Sequence, residues 1–231
     1  QEGATWTVVS TAGFAVRYLP RGFTFDQGGS GIFVSTNDRY SIWDVLSSLN
    51  SSIVYGVAKL LCPTLNYTTG DVRKFPIWKF ECLEEVTKEL VDIHKKDWDS
   101  SEVSWGFQRN ALLDEVAETN IECSLEKCLT KQSELVSRAI ELETLNNKVI
   151  EKSFDNVEKE NMLDVSNITM LVNPLYSFGS KSVDDFKPLS KSKLISELIS
   201  YSMGCKMGRF SLSRKGLVFA GSAGREFDEL L

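Results

Sequence analysis

The sequence lacks several things at once. None of its apolar runs approaches the roughly 18–20 residues that cross a bilayer, which excludes a membrane-spanning helix. No basic stretch or apolar core follows Gln1, so no signal peptide is visible. The chain opens without a methionine and stops at Leu231 in mid-pattern, as expected of a piece excised from a longer protein. His94 is the one histidine, and the 5 cysteines (Cys62, Cys82, Cys123, Cys128, Cys205) are irregularly spaced. Cys123 and Cys128 are too far apart for a CxxC knuckle, so no metal site is expected. An odd set of thiols reads as reduced, as in a cytoplasmic protein. Neither an internal repeat nor a low-complexity segment is present.

What remains is ordinary for a globular domain: 42% hydrophobic and 25% charged residues in 231. The net charge of −6 is unevenly placed. Residues 1–80 carry 7 basic and 5 acidic side chains, residues 81–165 carry 10 and 21, and residues 166–231 carry 9 and 6. Phosphate contact needs local positive charge, so the two flanks are better candidates for nucleic acid than the acidic middle. That middle reads as a solvated helical face or as a surface for protein partners.

The patterning changes along the chain. Thr5–Val9, Phe14–Leu19, Phe23–Phe25 and Ile32–Ser35 are rich in β-branched and aromatic residues and predict strands. Pro20-Arg21-Gly22 marks a turn, and Asp26 to Gly31 a glycine-rich loop. Ser41 suits the N-cap of a helix carrying Val45, Leu46 and Leu49. A second helix is expected over residues 53–61, ended by Pro63, and a turn with a final strand over 70–77. Helical spacing begins at Leu83, pauses from Lys95 to Phe107, and resumes over 121–152. There Leu135, Ala139, Leu142 and Val149 approximate a heptad seam with Asn146 at a core position. Ile168–Val172 predicts a strand, and Ser190, after Pro188, the cap of a helix through Met203.

These signals give an α+β fold. It has a mixed-sheet α/β region at 1–80, a helical hairpin at 81–165 and a small α+β tail at 166–231.

Few motifs carry chemistry. Gly28-Gly29-Ser30-Gly31 could cradle a phosphate, but it fits neither dinucleotide nor P-loop spacing and reads as a turn between strands. Asn173-Pro174-Leu175-Tyr176 resembles the Asn/Asp-Pro-Pro-Tyr/Phe motif of amino-methyltransferases, in which an amide receives the target amino group of a flipped base. Leu175 replaces the second proline, so a strand-to-turn transition is the preferred reading and no catalytic residue is assigned. Asp97, Asp99 and Glu102 could serve acid–base or metal chemistry. The simpler reading is a loop pinned to the body by the indoles of Trp98 and Trp105. His94, at the end of a helix among lysines, is expected to be exposed. Arg17, Arg21, Arg39, Arg73, Lys74 and Lys79, interleaved with Tyr18, Tyr40 and Tyr67, suit DNA backbone and base contacts.

Several segments together resemble a known family. Phe14 to Asp26, Gly29 to Phe33, Leu49 to Ser51, Asn66-Tyr67 and Gly70 to Ile77 resemble target-recognition regions of large adenine methyltransferases and of fused restriction–modification enzymes. Asp97-Trp98-Asp99-Ser100, Ser104 to Phe107, Ile168 to Tyr176 and Ile199 to Leu212 are similar to segments of the BREX phage-defence adenine methyltransferases. The likeness covers most of the chain and is weakest over 108–165. It implies a parent enzyme that moves a methyl group from S-adenosylmethionine to adenine in double-stranded DNA. It also implies that the catalytic domain lies upstream, that no cofactor is held here, and that Asn66 joins the DNA-contacting set. Other defence proteins or a phage inhibitor are the alternative partners, through the acidic middle. A compact methyltransferase built on Asn173 is a third reading.

Overall fold

A computed structural model describes residues 1–35, 37–115, 120–154, 163–179 and 183–219. Strands β1 (Gly3–Thr7), β2 (Val16–Leu19) and β3 (Gly29–Ile32) form one sheet in the order β2-β1-β3, antiparallel at both joins. The α-helices are α1 (Ile42–Leu49), α2 (Ser52–Leu61), α3 (Thr69–Val72), α4 (Glu81–Asp99), α5 (Ile121–Glu151), α6 (Pro174–Phe178) and α7 (Val183–Lys206). The chain divides into two compact units, Gln1–Asp92 with Ala139–Leu163, and Ile93–Arg138 with Asp164–Leu231. These do not follow consecutive segments ending at 80 and 165, because α4 and α5 each contribute residues to both.

In the first unit the two-residue period of the sheet sets the core. Ala4, Trp6, Val16, Tyr18 and Ile32 share one face. They pack with Val45, Leu46 and Leu49 of α1 and Val54 and Ala58 of α2. Each valine, leucine or isoleucine among them contributes roughly 1.5–3 kcal/mol on burial. Ser41 caps α1 as expected, closing a reciprocal capping box with Asp44. Just past that helix, the Asn50 side chain accepts from the Val16 amide and donates to the Val16 carbonyl, both at 3.0 Å. It thereby satisfies backbone groups on the free edge of β2. On the part of α5 that belongs to this unit, the buried positions are Ala139, Leu142, Asn146 and Ile150. Leu135 and Val149 lie one residue off this stripe, since a 3.6-residue helix drifts from a strict heptad. Asn146 is buried as expected and donates to the Ser47 carbonyl at 3.0 Å.

Some expected strands are absent. The sheet is antiparallel rather than mixed, because short loops without a helical crossover join its strands. Phe23–Phe25 is not a strand; β1 already has both neighbours. Residues 70–77 form α3 and a turn. Thr68 caps α3 through the Asp71 amide, and the bonds Lys74 N to Asp71 O and Phe75 N to Val72 O use the groups a strand would need.

In the second unit no described residue lies in a strand. Ile168–Val172 keeps the alternation that predicted one: Ile168 and Met170 are buried and Thr169 is exposed. Its backbone partners are largely side chains instead. Asp97 accepts from the Leu171 and Val172 amides at 2.6 and 3.0 Å. Lys193 Nζ and Ser177 Oγ donate to the Leu171 carbonyl at 2.7 and 2.6 Å. Helix α7 starts at Val183, upstream of Pro188 rather than after it, so Ser190 is not its cap. Pro188 lacks the amide that would bond the Asp184 carbonyl. Helix α4 runs on to Asp99, through part of the stretch read as an interruption.

Candidate nucleic-acid interface

The sheet face turned away from the core of the first unit carries a distinctive set of residues. Register places Arg17, Thr5 and Gly31 in one row, and Leu19 and Gly3 in the next. Their neighbours Val16, Tyr18, Ala4, Trp6 and Ile32 point the other way; Arg17 is exposed on this outer face, whereas Leu19 and Gly3 in the next row are covered. The glycines leave bare backbone there. A Cβ on Gly31 would stand 2.9 Å from the Phe33 ring and 3.6 Å from Phe25, and one on Gly3 would stand 2.9 Å from Phe33. Phe25 and Phe33 therefore lie over the strand backbone, with ring centroids 5.2 Å apart. Both stay exposed, at 51% and 37%, and Phe23 is 58% exposed. Glycine within a strand costs about 0.5–1 kcal/mol; here it makes room for aromatic rings. Of the glycine cluster expected to be a turn between strands, Gly28 lies in the turn and Gly29, Ser30 and Gly31 in β3. Gly22, with φ of 90°, turns the chain from β2 toward these phenylalanines.

All seven residues expected to contact DNA are exposed on the first unit. Arg17 sits in β2 on the outward face, and Arg21 in the turn that follows it. Arg39 lies over the Tyr40 ring at 5.4 Å. Asn66 pairs with Val9 in an isolated antiparallel bridge. Arg73 caps the C-terminus of α3, and Lys74 pairs with Asp71 at 3.2 Å. Lys79 precedes α4. Arg73 and Lys74 are consecutive at the end of α3, and Arg17 and Arg21 lie in β2 and in the turn after it. No hydrogen bond or ring contact among the described residues joins these pairs.

The second unit reverses the reading of the tryptophan loop. Trp105 is 98% exposed and Trp98 52% exposed, so neither indole is sunk in a core to pin the loop. The carboxylates do so. Asp99 accepts from Ser104 Oγ and Lys95 Nζ, each at 2.5 Å. Burial pushes its carboxyl up, but those two partners outweigh burial and hold it below the usual range. Asp97 is buried, which raises its carboxyl against the pull of the Leu171 and Val172 amides, His94 and Lys193. Glu102 Oε2 accepts from Ser200 Oγ at 3.1 Å, while its Oε1 is buried without a partner. His94 is half-buried rather than exposed. Asn173 is fully buried, donating to the Val165 and Ile168 carbonyls at 2.8 and 2.7 Å and accepting from the Leu175 amide at 3.2 Å as the cap of α6. Its amide is spent inside the protein.

A cavity of about 140 Å³ in the same unit is lined by Ser100, Gln132, Leu171, Phe178, Lys193 and Glu197, among others. Burial holds the Glu197 carboxyl above its ordinary value; Lys193 pulls it down and Glu102 pushes it further up. Among the described residues no group of three or more His, Cys, Asp or Glu could hold a metal ion. No described helix is long and apolar enough to cross a membrane.

No family model matches the chain. It is 44% identical over 231 residues to the adenine-specific methyltransferase BrxX of Escherichia coli O9:H4 (strain HS), which covers all of this chain and 19% of that protein. It is 30% identical over 224 residues to the adenine-specific methyltransferase PglX of Lacticaseibacillus casei (strain Zhang), covering 96% of this chain and 18% of that protein. Its relatives are adenine-specific methyltransferases. The chain spans about a fifth of their length.

The glycines of β3 are paired in a sheet rather than opening a helix, unlike a dinucleotide phosphate loop. Sequence reasoning missed Phe23, Phe25 and Phe33 as surface residues, since their alternation looks like strand interior. The clue lay in the glycines at 29 and 31, which leave no side chain on the outer face for a ring to displace.

Proposed function

We propose that this chain is the DNA-recognition part of an adenine-specific DNA methyltransferase of a BREX phage-defence system. The carrying observation is the 44% identity to BrxX along every residue of the chain. The exposed cations of the first unit support it. Arg17, Arg21, Arg73, Lys74 and Lys79 can take phosphate oxygens, while Arg39 and Asn66 have the donors for base edges. Methyl transfer from S-adenosylmethionine to the adenine amino group would fall to residues outside this chain. The first unit would hold the duplex while the adenine leaves the stack.

Fluorescence anisotropy of the 231-residue chain on labelled duplex DNA tests this reading. Affinity should fall steeply with salt, and Arg17→Ala, Arg21→Ala or Lys74→Ala should each weaken binding and flatten the salt slope by about one. Unchanged affinity in all three variants would show that the DNA face lies elsewhere.

The exposed Trp105 favours a second reading, a protein-docking module for other defence proteins or a phage inhibitor. A chain that shows no salt-dependent DNA binding, yet loses a captured partner on Trp105→Ser, would be such a module.

A further inference from the structure

We infer that the outward face of the sheet is a stacking platform for a nucleobase lifted out of a DNA strand, built from Phe25 and Phe33, with Phe23 exposed in the loop leading to Phe25 and Arg17 in the sheet row that includes Gly31. This rests on the DNA-recognition reading and adds to it a place where a base, rather than a phosphate, is held.

Three observations converge on that occupant. The rings are exposed although two of them lie against the sheet. Gly3 and Gly31 provide the bare backbone on which Phe33 rests, and Phe25 leans on Phe33 at 5.2 Å. The face is also charged with one sign. Arg17 is exposed in the row that includes Gly31, and Arg21 is exposed in the turn leading to Phe23. The loop's acidic group, Asp26, is turned to its own backbone, accepting from the Gly28 and Gly29 amides at 2.8 and 3.2 Å. Glu2 bonds the Tyr18 hydroxyl at 2.7 Å, and Tyr18 belongs to the core-side face; Asp38, in the loop after Phe33, is turned to its own loop and accepts from the Ser35 amide at 2.6 Å.

A ligand for this face therefore offers a flat ring and a negative charge side by side. A nucleotide does so. Arg17 and the rings stand about two strand spacings apart, ~10 Å, which an arginine side chain and a sugar–phosphate together bridge. A base inside a duplex has both faces covered by its neighbours. Only an unstacked base presents a free face to a phenylalanine.

The test uses the full chain and two fluorescein-labelled duplexes of one sequence, one fully paired and one with a single unpaired adenine. The bulged duplex should bind about fivefold or more tightly. Phe25→Leu and Phe33→Leu, singly and together, keep apolar cover over the sheet but remove the rings. They should abolish that preference while leaving the salt slope of the paired duplex unchanged, and Phe25→Tyr should retain it. Circular dichroism melts confirm that each variant is folded. Arg17→Gln should lower the slope on both duplexes by about one. Equal wild-type affinity for the two duplexes overturns the platform but leaves DNA recognition standing, as does a preference that survives the double leucine variant. A chain that binds neither duplex overturns both.

Discussion

Replacing Asn173 with alanine separates two readings of the Asn-Pro-Leu-Tyr stretch. In a methyltransferase motif the asparagine amide meets substrate, and its loss would cost activity with little change in stability. In this structure the amide holds the fold. It donates to two carbonyls, at 2.8 and 2.7 Å, and accepts from the Leu175 amide at 3.2 Å. Alanine removes one of two bonds to each of the Ile168 and Val165 carbonyls, which keep those from the Met170 and Ile168 amides at 2.9 and 3.1 Å; each lost bond costs about 0.5–1.5 kcal/mol and the lost helix cap about 1 kcal/mol. Together the loss comes to ~2–4 kcal/mol. In urea, with a slope of ~2 kcal/mol/M, that moves the unfolding midpoint down by ~1–2 M. Asn173→Asp should be no better, because it removes both donors and buries a charge. The assay is urea unfolding followed by circular dichroism. Amide exchange should show that protection is lost first at Leu171, Val172 and Leu175. A midpoint within ~0.3 M of wild type would refute this account of Asn173 and return it to the candidate catalytic groups.

The same residue shows how far the sequence could be read. Ile168 to Val172 alternates as a strand does, and the burial follows: Ile168 and Met170 are sealed and Thr169 is not. Alternation reports which side of an extended chain faces the core. It does not report whether a neighbouring strand exists. Here Asp97, 74 residues before Leu171, takes that neighbour's place, and no local pattern announces so distant a carboxylate. Local chemistry was legible where the partner lies a few residues away. Ser41 with Asp44, the end of α2 before Pro63 and the turn at Gly22 all follow from short-range rules. The tryptophan loop went the other way, since large apolar residues are usually buried but nothing obliges each one to be. Trp98 and Trp105 flank a loop already fixed by Asp99, Ser104 and Glu102. The exposed arginines and lysines of the first unit were legible as surface cations, but not the glycine-backed rings that share a face with Arg17.

Two further perturbations probe the second unit and its electrostatics. Gly204→Ala places a Cβ 2.6 Å from the Phe210 ring, which must then move off Tyr201 and Phe107. A net loss of ~1–2 kcal/mol is expected after the helix-propensity gain, with a weaker near-ultraviolet aromatic signal. Gly56→Ala in α2 meets nothing within 4 Å and should instead stabilise by ~0.5–1 kcal/mol; the same sign for both would refute the packing argument. Glu197→Gln tests the buried carboxyl. Burial raises its pKa in the folded chain, so the folded state binds this proton more tightly than the unfolded state. Its effect on stability is therefore unfavourable as pH rises through the raised value, and absent below the ordinary glutamate range. The glutamine variant should melt at a higher temperature than wild type at pH 7 and gain nothing at pH 4. Asp97, raised by burial too, should leave a residual slope of the same sign. A gain that is equal at every pH would mean that lost packing or hydrogen bonding, not the cost of a buried charge, governs this position.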